Sequence, residues 1–310
     1  MDTFSTPEPI TVDLKLGDGQ VQIIASDRQD TVVQVESDGP GTASGRVRVN
    51  FTGNKLEIRS TKPTGGRAGN RGPVGVTVEV PNRSSLVTRT ANTDIRARGI
   101  LGTCRLNGAT GFVDLDRTDE VQVNLADGDL RIGCVNGDVV VRSGRSSVHI
   151  DEIRGAATVK AATGPVVIGT AGGDLVVATA GGDVAVDHAA ANVTVRTAWG
   201  NLRVGEVAGG RVDLATGTGD VEVGIRAGLA AWVDAFSKNG EVRTLLPPRS
   251  GPSSAEDKTE VRARTQNGTI VIRPATDHPA TDHPATPADP TGSVDPAGPP
   301  PTSEPAATSL

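Results

Sequence analysis

Residues 171–188 read AGGDLVVATAGGDVAVDH, nearly the same nine residues twice. Glycine–aspartate nonapeptides are the signature of calcium-binding β-rolls, G-G-x-G-x-D-x-U-x. The stretch therefore poses a choice between a metal-loaded roll and a coil that binds nothing along its turns. In GGDLVVATA the aspartate stands two places too early, the fourth position is not glycine, and two apolar residues alternate where the roll has one. Calcium takes about six to eight oxygen ligands, yet Ser147, Ala156, Pro165 and Arg211 fill aligned positions without a carboxylate. A metal-free rung is expected, with no cofactor.

The same rung extends in both directions. Apolar–x–apolar triplets run from Cys104-Arg105-Leu106 to Val221-Glu222-Val223, fourteen in all, with starts nine apart except for one step of eight and one of ten. Period-two alternation puts the outer residues of each triplet on one face of a short strand, and short strands at fixed spacing with no helical pattern between them mean a repeat architecture. The third residues of alternate triplets fall into two classes. One set is Leu106, Val123, Val141, Val159, Val177, Val195 and Leu214; the other is Leu115, Ile132, Ile150, Ile168, Val186, Val204 and Val223. Connectors agree, with Val135, Ile153, Ala171, Ala189 and Val207 at one corner and Ala126, Gly144, Ala162, Ala180 and Ala198 at the other. Two strands per turn keep these classes apart and three would mix them. The expected fold is all-β, a parallel β-solenoid with coils of about 18 residues, each of two short strands and two tight corners. Glycines before the strands, as in Gly182-Asp183, suit turns that need positive φ, and the following Asp or Asn is expected to bond its own turn.

Either side of this array, 104–223, the pattern loosens. Residues 1–103 hold less regular β segments (ITVDLKL, VQIIAS, TVVQVES, RVRVNF) and a Gly/Arg-rich loop, TGGRAGNRGP, and read as an N-terminal cap over an otherwise open end. Residues 224–273 read as the opposite cap, with Trp232 and Phe236 together and a close on Ile270 and Ile272. Residues 274–310 hold half of the 20 prolines and a tandem ATDHP, the composition of a disordered tail.

Composition narrows the function classes. The 310 residues include 39 glycines, no tyrosine, four phenylalanines and two tryptophans, so branched aliphatics must build the core. No long apolar run offers a membrane span. The start, MDTFSTPEPITVDLK, lacks the basic and apolar regions of a secretion signal, which makes the cytoplasm the expected location. Residues 104–223 carry sixteen acidic against ten basic residues, and the flanks cancel, so the net charge of −6 sits in the regular array. Nucleic acid needs a basic stripe and is not an expected partner.

The opening TFSTPEPITV, the phrase VQIIASDRQDTVVQV, the GD-[LV]-x-V rungs, and the close AAWVDAFSKNGEVR with EVRARTQNGTIVIRP together resemble a bacterial family of β-strand-repeat proteins of unknown function that bears the label of adhesins. The likeness spans roughly residues 3–273. It implies a parallel β-helix and an adhesin-like role, and it transfers no catalytic motif.

Individual site candidates resolve mostly into structural roles. Asp119-Glu120 and Asp151-Glu152 are adjacent carboxylates, but neighbours on a strand or corner point apart, unlike the converging pair a glycosidase needs. Trp199 is expected to cover a turn. His149, outward in mid-strand, and His188, on a corner, have no third ligand at zinc spacing. Cys104 and Cys134 make no disulfide framework and read as small packing residues, Cys134 being the more reactive. What stands out is a strip of outward middle residues, Val140, Thr158, Val176 and Thr194, β-branched and apolar between charged ends. It suits docking of a protein partner or a second copy. A non-enzymatic interaction or scaffold protein is the expected function. The alternatives are a carbohydrate-active β-helix enzyme and a true surface adhesin.

Overall fold

A computed structural model describes residues 1–37, 47–60, 73–247 and 258–275. The expected disordered tail lies outside these residues from Thr276 onward, as does the Gly/Arg-rich loop apart from Pro73. Every regular element among them is a strand, and the 21 strands form one hydrogen-bonded sheet. The all-β class expected from the alternation is what the chain adopts.

In the regular array each strand segment pairs with the segments one coil before and one coil after it. Ala157–Thr163 lies parallel between Val139–Ile153 and Leu175–Gly181, which sets Thr158 opposite Val140 and Val176. Val166–Ala171 lies parallel between Val139–Ile153 and Val184–Ala189, with Ile168 opposite Ile150 and Val186. Two ladders result. The first contains the Val139, Ala157, Leu175, Val193 and Gly210 segments, and the second contains the Val148, Val166, Val184, Leu202 and Val221 segments. At the third residue of each rung valine stacks on valine from Val123 to Val195 in the first ladder, and isoleucine on isoleucine from Ile132 to Ile168 in the second, which is why the two classes separate in the sequence. The inward residues are buried without exception, from Val139 and Val141 to Val221 and Val223. Each fully buried Val, Ile or Leu contributes about 1.5–3 kcal/mol.

The corners differ in kind. Val135, Ile153, Ala171, Ala189, Val207 and Ile225 are buried and close the core on one side. On the other side the small residues Ala126, Ala162, Ala180 and Ala198 face out, and the inward place belongs to the residue before each. That position is Leu125 and Ala161, then Thr179, Thr197, Thr216 and Thr265, all buried. The threonine hydroxyls donate to main-chain carbonyls, as Thr197 does to Trp199 and Thr265 to Gly219, whereas Ser143, in register between Leu125 and Ala161, buries its hydroxyl without a hydrogen-bond partner among the described residues.

Glycine is required at this second corner. Gly182 has φ 125°, and a Cβ there would sit 2.2 Å from the Gly164 carbonyl oxygen of the preceding coil. The residues after the glycines act differently from expectation. Instead of bonding their own turn, they accept from the main chain one coil on: Asp138 from the Ala156 N–H, Asp174 from Asn192, Asp183 from Asn201, Asn201 from Asp220, and Asp220 from Thr269. A turn amide that faces the next coil has a partner only if a side chain reaches across, and Asp and Asn are the right length.

At the N-terminal end the pairing changes sense. Thr11–Ser26 pairs parallel with Ser85–Thr110 on one edge and with Lys55–Ser60 and Val74–Pro81 on the other. Val47–Thr52, Asp30–Ser37 and Asp2–Ser5 then add on antiparallel, and Phe4 stacks on Phe51 at 5.1 Å. At the other end the order breaks. Gly210–Thr218 pairs with Lys258–Asn267, and Ala230–Asn239 lies outside that strand. Val221–Ile225, Ile270–Pro274 and Val242–Thr244 repeat the arrangement. The chain places a coil one layer out and returns to fill the gap. Ile270 and Ile272 are therefore fully buried, whereas Trp232 and Phe236 are 58% and 57% exposed.

Candidate interaction face

The outer surface of the first ladder is set by the same register as its core. Its middle row runs Arg105, Gln122, Val140, Thr158, Val176, Thr194, Asp213, Arg262 and Asp234, each opposite the next. Val140, Thr158, Val176 and Thr194 thus stand side by side across four successive strands. Val176 is 40% exposed, and the other three are half-buried. With strands about 4.8 Å apart, the four positions form a continuous β-branched strip. Charged side chains begin only beyond it, at Asp213 on one side and at Arg105 on the other.

Two residues further along each strand, on the same outer face, lies a second row that sequence reading did not single out: Asn124, Arg142, Lys160, Ala178, Arg196, Ala215 and Arg264 in successive register. Beside it an open trough of about 1100 Å³ runs past Arg89, Asn107, Asn124, Arg142 and Lys160, with Ala126 and Ala162 among its small lining residues. Trp199 stands at the corner beyond, 56% exposed. Its ring lies over Gly181, so close that a Cβ there would be 2.0 Å from Cε2. Covering this turn is the role expected of it.

The second ladder presents a different chemistry. Asp116, Arg117, Cys134, Asp151, Glu152 and Thr170 line a smaller hollow of about 390 Å³. Its carboxylates do not converge as a pair. His149 Nε2 lies 2.7 Å from Asp151 Oδ1, and Glu152 accepts from Arg154 at 2.9 Å. The Arg154 guanidinium holds the Glu152 carboxyl below its usual range. Asp119 likewise accepts from Asn136 and stands 3.7 Å from Arg83. His188 Nδ1 lies 3.7 Å from Glu206. Among the described residues no group of three or more His, Cys, Asp and Glu is gathered as metal ligands.

Both thiols are shifted away from reactivity. Burial pushes Cys104 up to about 11. Burial and then the neighbouring Glu152 carboxylate raise Cys134, which is half-buried. The nucleophile is the thiolate, so neither cysteine is primed for covalent chemistry.

At the N-terminal end Asp13 is buried beside Lys55 at 2.8 Å, Arg89 at 3.6 Å and Lys15 at 3.9 Å. Burial raises its carboxyl, but Lys55 first, then Lys15 and Arg89, outweigh that and hold it below the ordinary value.

Residues 9–273 match the family described as Toastrack DUF4097. Three solved structures are similar over most of the chain. A candidate cell adhesion protein of Clostridium sporogenes is 12% identical over 88% of this chain and 98% of its own, with a TM-score of 0.23. A candidate adhesin of Parabacteroides merdae is 9% identical over 87% and 94%, with a TM-score of 0.34. A candidate lipid binding protein of Parabacteroides distasonis is 11% identical over 89% and 96%, with a TM-score of 0.32. A search of the curated proteins gives no match.

Proposed function

The chain belongs to the Toastrack DUF4097 family, and from that premise we propose that it is a non-enzymatic, right-handed parallel β-solenoid whose side is a binding surface for a protein partner or a second copy. The handedness follows the rule for parallel crossovers. The observation that carries the reading is the alignment of Val140, Thr158, Val176 and Thr194 across four consecutive strands. These residues spread an unbroken β-branched surface across the ladder, whereas the carboxylates of the hollow on the second ladder are engaged singly, Asp151 by His149 and Glu152 by Arg154. Pre-formed surfaces bind at a smaller ordering cost, which suits a scaffold. The proposed location is the cytoplasm. Recovery of the native protein at the cell surface would favour adhesion instead.

The test is the double substitution V140R/V176R. Both side chains point outward, so the fold should melt unchanged, while self-association in sedimentation velocity or capture of a cross-linked protein partner should be lost. Wild-type protein that stays monomeric and cross-links to no protein through this strip would contradict the proposal.

A further inference from the structure

The row beside the strip carries charge of one sign. Lys15 pairs in register with Arg89, and the trough continues from Arg89 to Asn107 and Asn124. From there the register passes through Arg142, Lys160, Ala178, Arg196 and Ala215 to Arg264. Six of these positions are cationic and none is acidic. The sequence hides this arrangement, because the same coils carry their acids on other rows and the running charge of 104–223 is negative.

Most of the cations have partners. Lys15 and Arg89 share Asp13, Arg196 is 3.7 Å from Asp213, and Arg264 donates twice to Asp234. Arg142 and Lys160, both exposed and adjacent in register, have no ion pair among the described residues. They stand where the trough is lined by alanines and flanked by the Asn107 and Asn124 amides; Asn124 Nδ2 donates to Asn107 Oδ1 at 2.9 Å, which leaves Asn107 Nδ2 and Asn124 Oδ1 for a ligand. We infer that this trough binds a linear acidic polysaccharide laid along the stack, with Arg142 and Lys160 meeting its anionic groups and Asn107 and Asn124 its hydroxyls. The inference rests on reading this side of the molecule as the binding side.

Each part of the arrangement selects that ligand. The cations lie in a line rather than over a plane, so they match a chain better than a bilayer. From Asn107 to Arg196 there are five ladder steps, about 24 Å at the spacing of neighbouring strands, long enough for several sugar units. Single-stranded nucleic acid binds through aromatic platforms for its bases, and neither the row between Asn107 and Arg264 nor the trough contains an aromatic residue. Asparagine amides offer both donors and acceptors, as sugar hydroxyls require, and small alanines leave room for a ring to settle beside the guanidinium and ammonium groups.

The experiment is titration of the full chain with a polygalacturonate fragment, with dextran as the neutral control and oligo(dT) as the nucleic-acid probe. Polygalacturonate should bind at low salt and weaken steeply as the screening length falls toward about 3 Å at 1 M salt. Dextran should not bind, and oligo(dT) should bind at least tenfold more weakly than polygalacturonate. R142E/K160E should reduce polygalacturonate affinity at least tenfold with an unchanged melting temperature. R142Q/K160Q, which keeps the side-chain bulk, should give a smaller loss in the same direction and serves if the charge reversal disturbs folding. V140R/V176R adds positive charge next to the row, so it should keep or strengthen polygalacturonate binding even as it destroys protein docking, and the two readings therefore fail separately. Three results would each overturn the inference: no binding of polygalacturonate, binding indifferent to R142Q/K160Q, or tighter binding of oligo(dT).

Discussion

Two residues past the middle of each strand, the first ladder carries Asn124, Arg142, Lys160, Ala178 and Arg196, while the second carries Asp116, Gly133, Asp151, Gly169, Asp187 and Gly205. Inside, both ladders stack aliphatic side chains, and within 104–223 the rungs' isoleucines, Ile132, Ile150 and Ile168, belong to the second. Outside, the two ladders carry opposite charge and face different steric limits. On the first ladder this position holds asparagine, arginine, lysine and alanine in turn. On the second, the backbone of one coil presses on the next: a Cβ on Gly133, Gly169 or Gly205 would lie 2.5, 2.4 and 2.7 Å from the carbonyl oxygens of Asp116, Asp151 and Asp187. The first ladder is thus free to vary its outer face, and the second is held by its own stacking. On the proposed reading, that freedom lets one side of a repetitive molecule specialise in binding.

The largest effects should come from the corners. Ile153, fully buried where the second ladder turns back, should cost about 2–5 kcal/mol when cut to alanine. Ala162, exposed at the opposite corner, should tolerate serine within about 0.5 kcal/mol. Urea denaturation measures both, and equal costs would mean that the corners are not different in kind.

A smaller contrast lies between the outer rows. Gly169→Ala should destabilise by about 1–3 kcal/mol, because the carbonyl it strikes belongs to the stacked main chain. Lys160→Ala, one ladder away, should stay within about 0.5 kcal/mol. A tolerated Gly169→Ala would show that the coils can separate locally.

The smallest effect is kinetic. Burial and Glu152 both disfavour the Cys134 thiolate, so alkylation of folded protein at neutral pH should be slow and should quicken as pH rises. Glu152→Gln removes one of the two causes and should speed it. Cys104, buried and pushed up to about 11, should react only after unfolding. Native alkylation of Cys104 as fast as that of Cys134 would contradict the closed ladder.

How much of this was legible in the sequence depends on how far apart the interacting residues lie along the chain. The two-class core was readable because Val141, Val159 and Val177 recur at one constant step, and the same step aligned Val140, Thr158, Val176 and Thr194. The cationic row obeys that step too, but Arg142, Lys160 and Arg196 are diluted by alanine and asparagine and surrounded by acids that face elsewhere. A running charge cannot separate faces. The final coil was hidden for another reason: Val212 pairs with Val261 across 49 residues, so no fixed period reaches it. Trp232 and Phe236 read as cap residues from their size, yet their strand is the outermost layer and both point away from the core. The Asp and Asn side chains were assigned to their own turns because local bonding is their common habit. In a stack, the equivalent amide one coil on is just as near.

The most direct test of the central claim is to place a photo-cross-linking residue at Thr158 on the first ladder, and separately at Ala185 on the second, and to irradiate living cells that make the protein. Covalent adducts to a protein partner or a second copy should form from Thr158 and not from Ala185. Adducts from Ala185 alone, or equally from both, would mean that the first ladder is not the binding side.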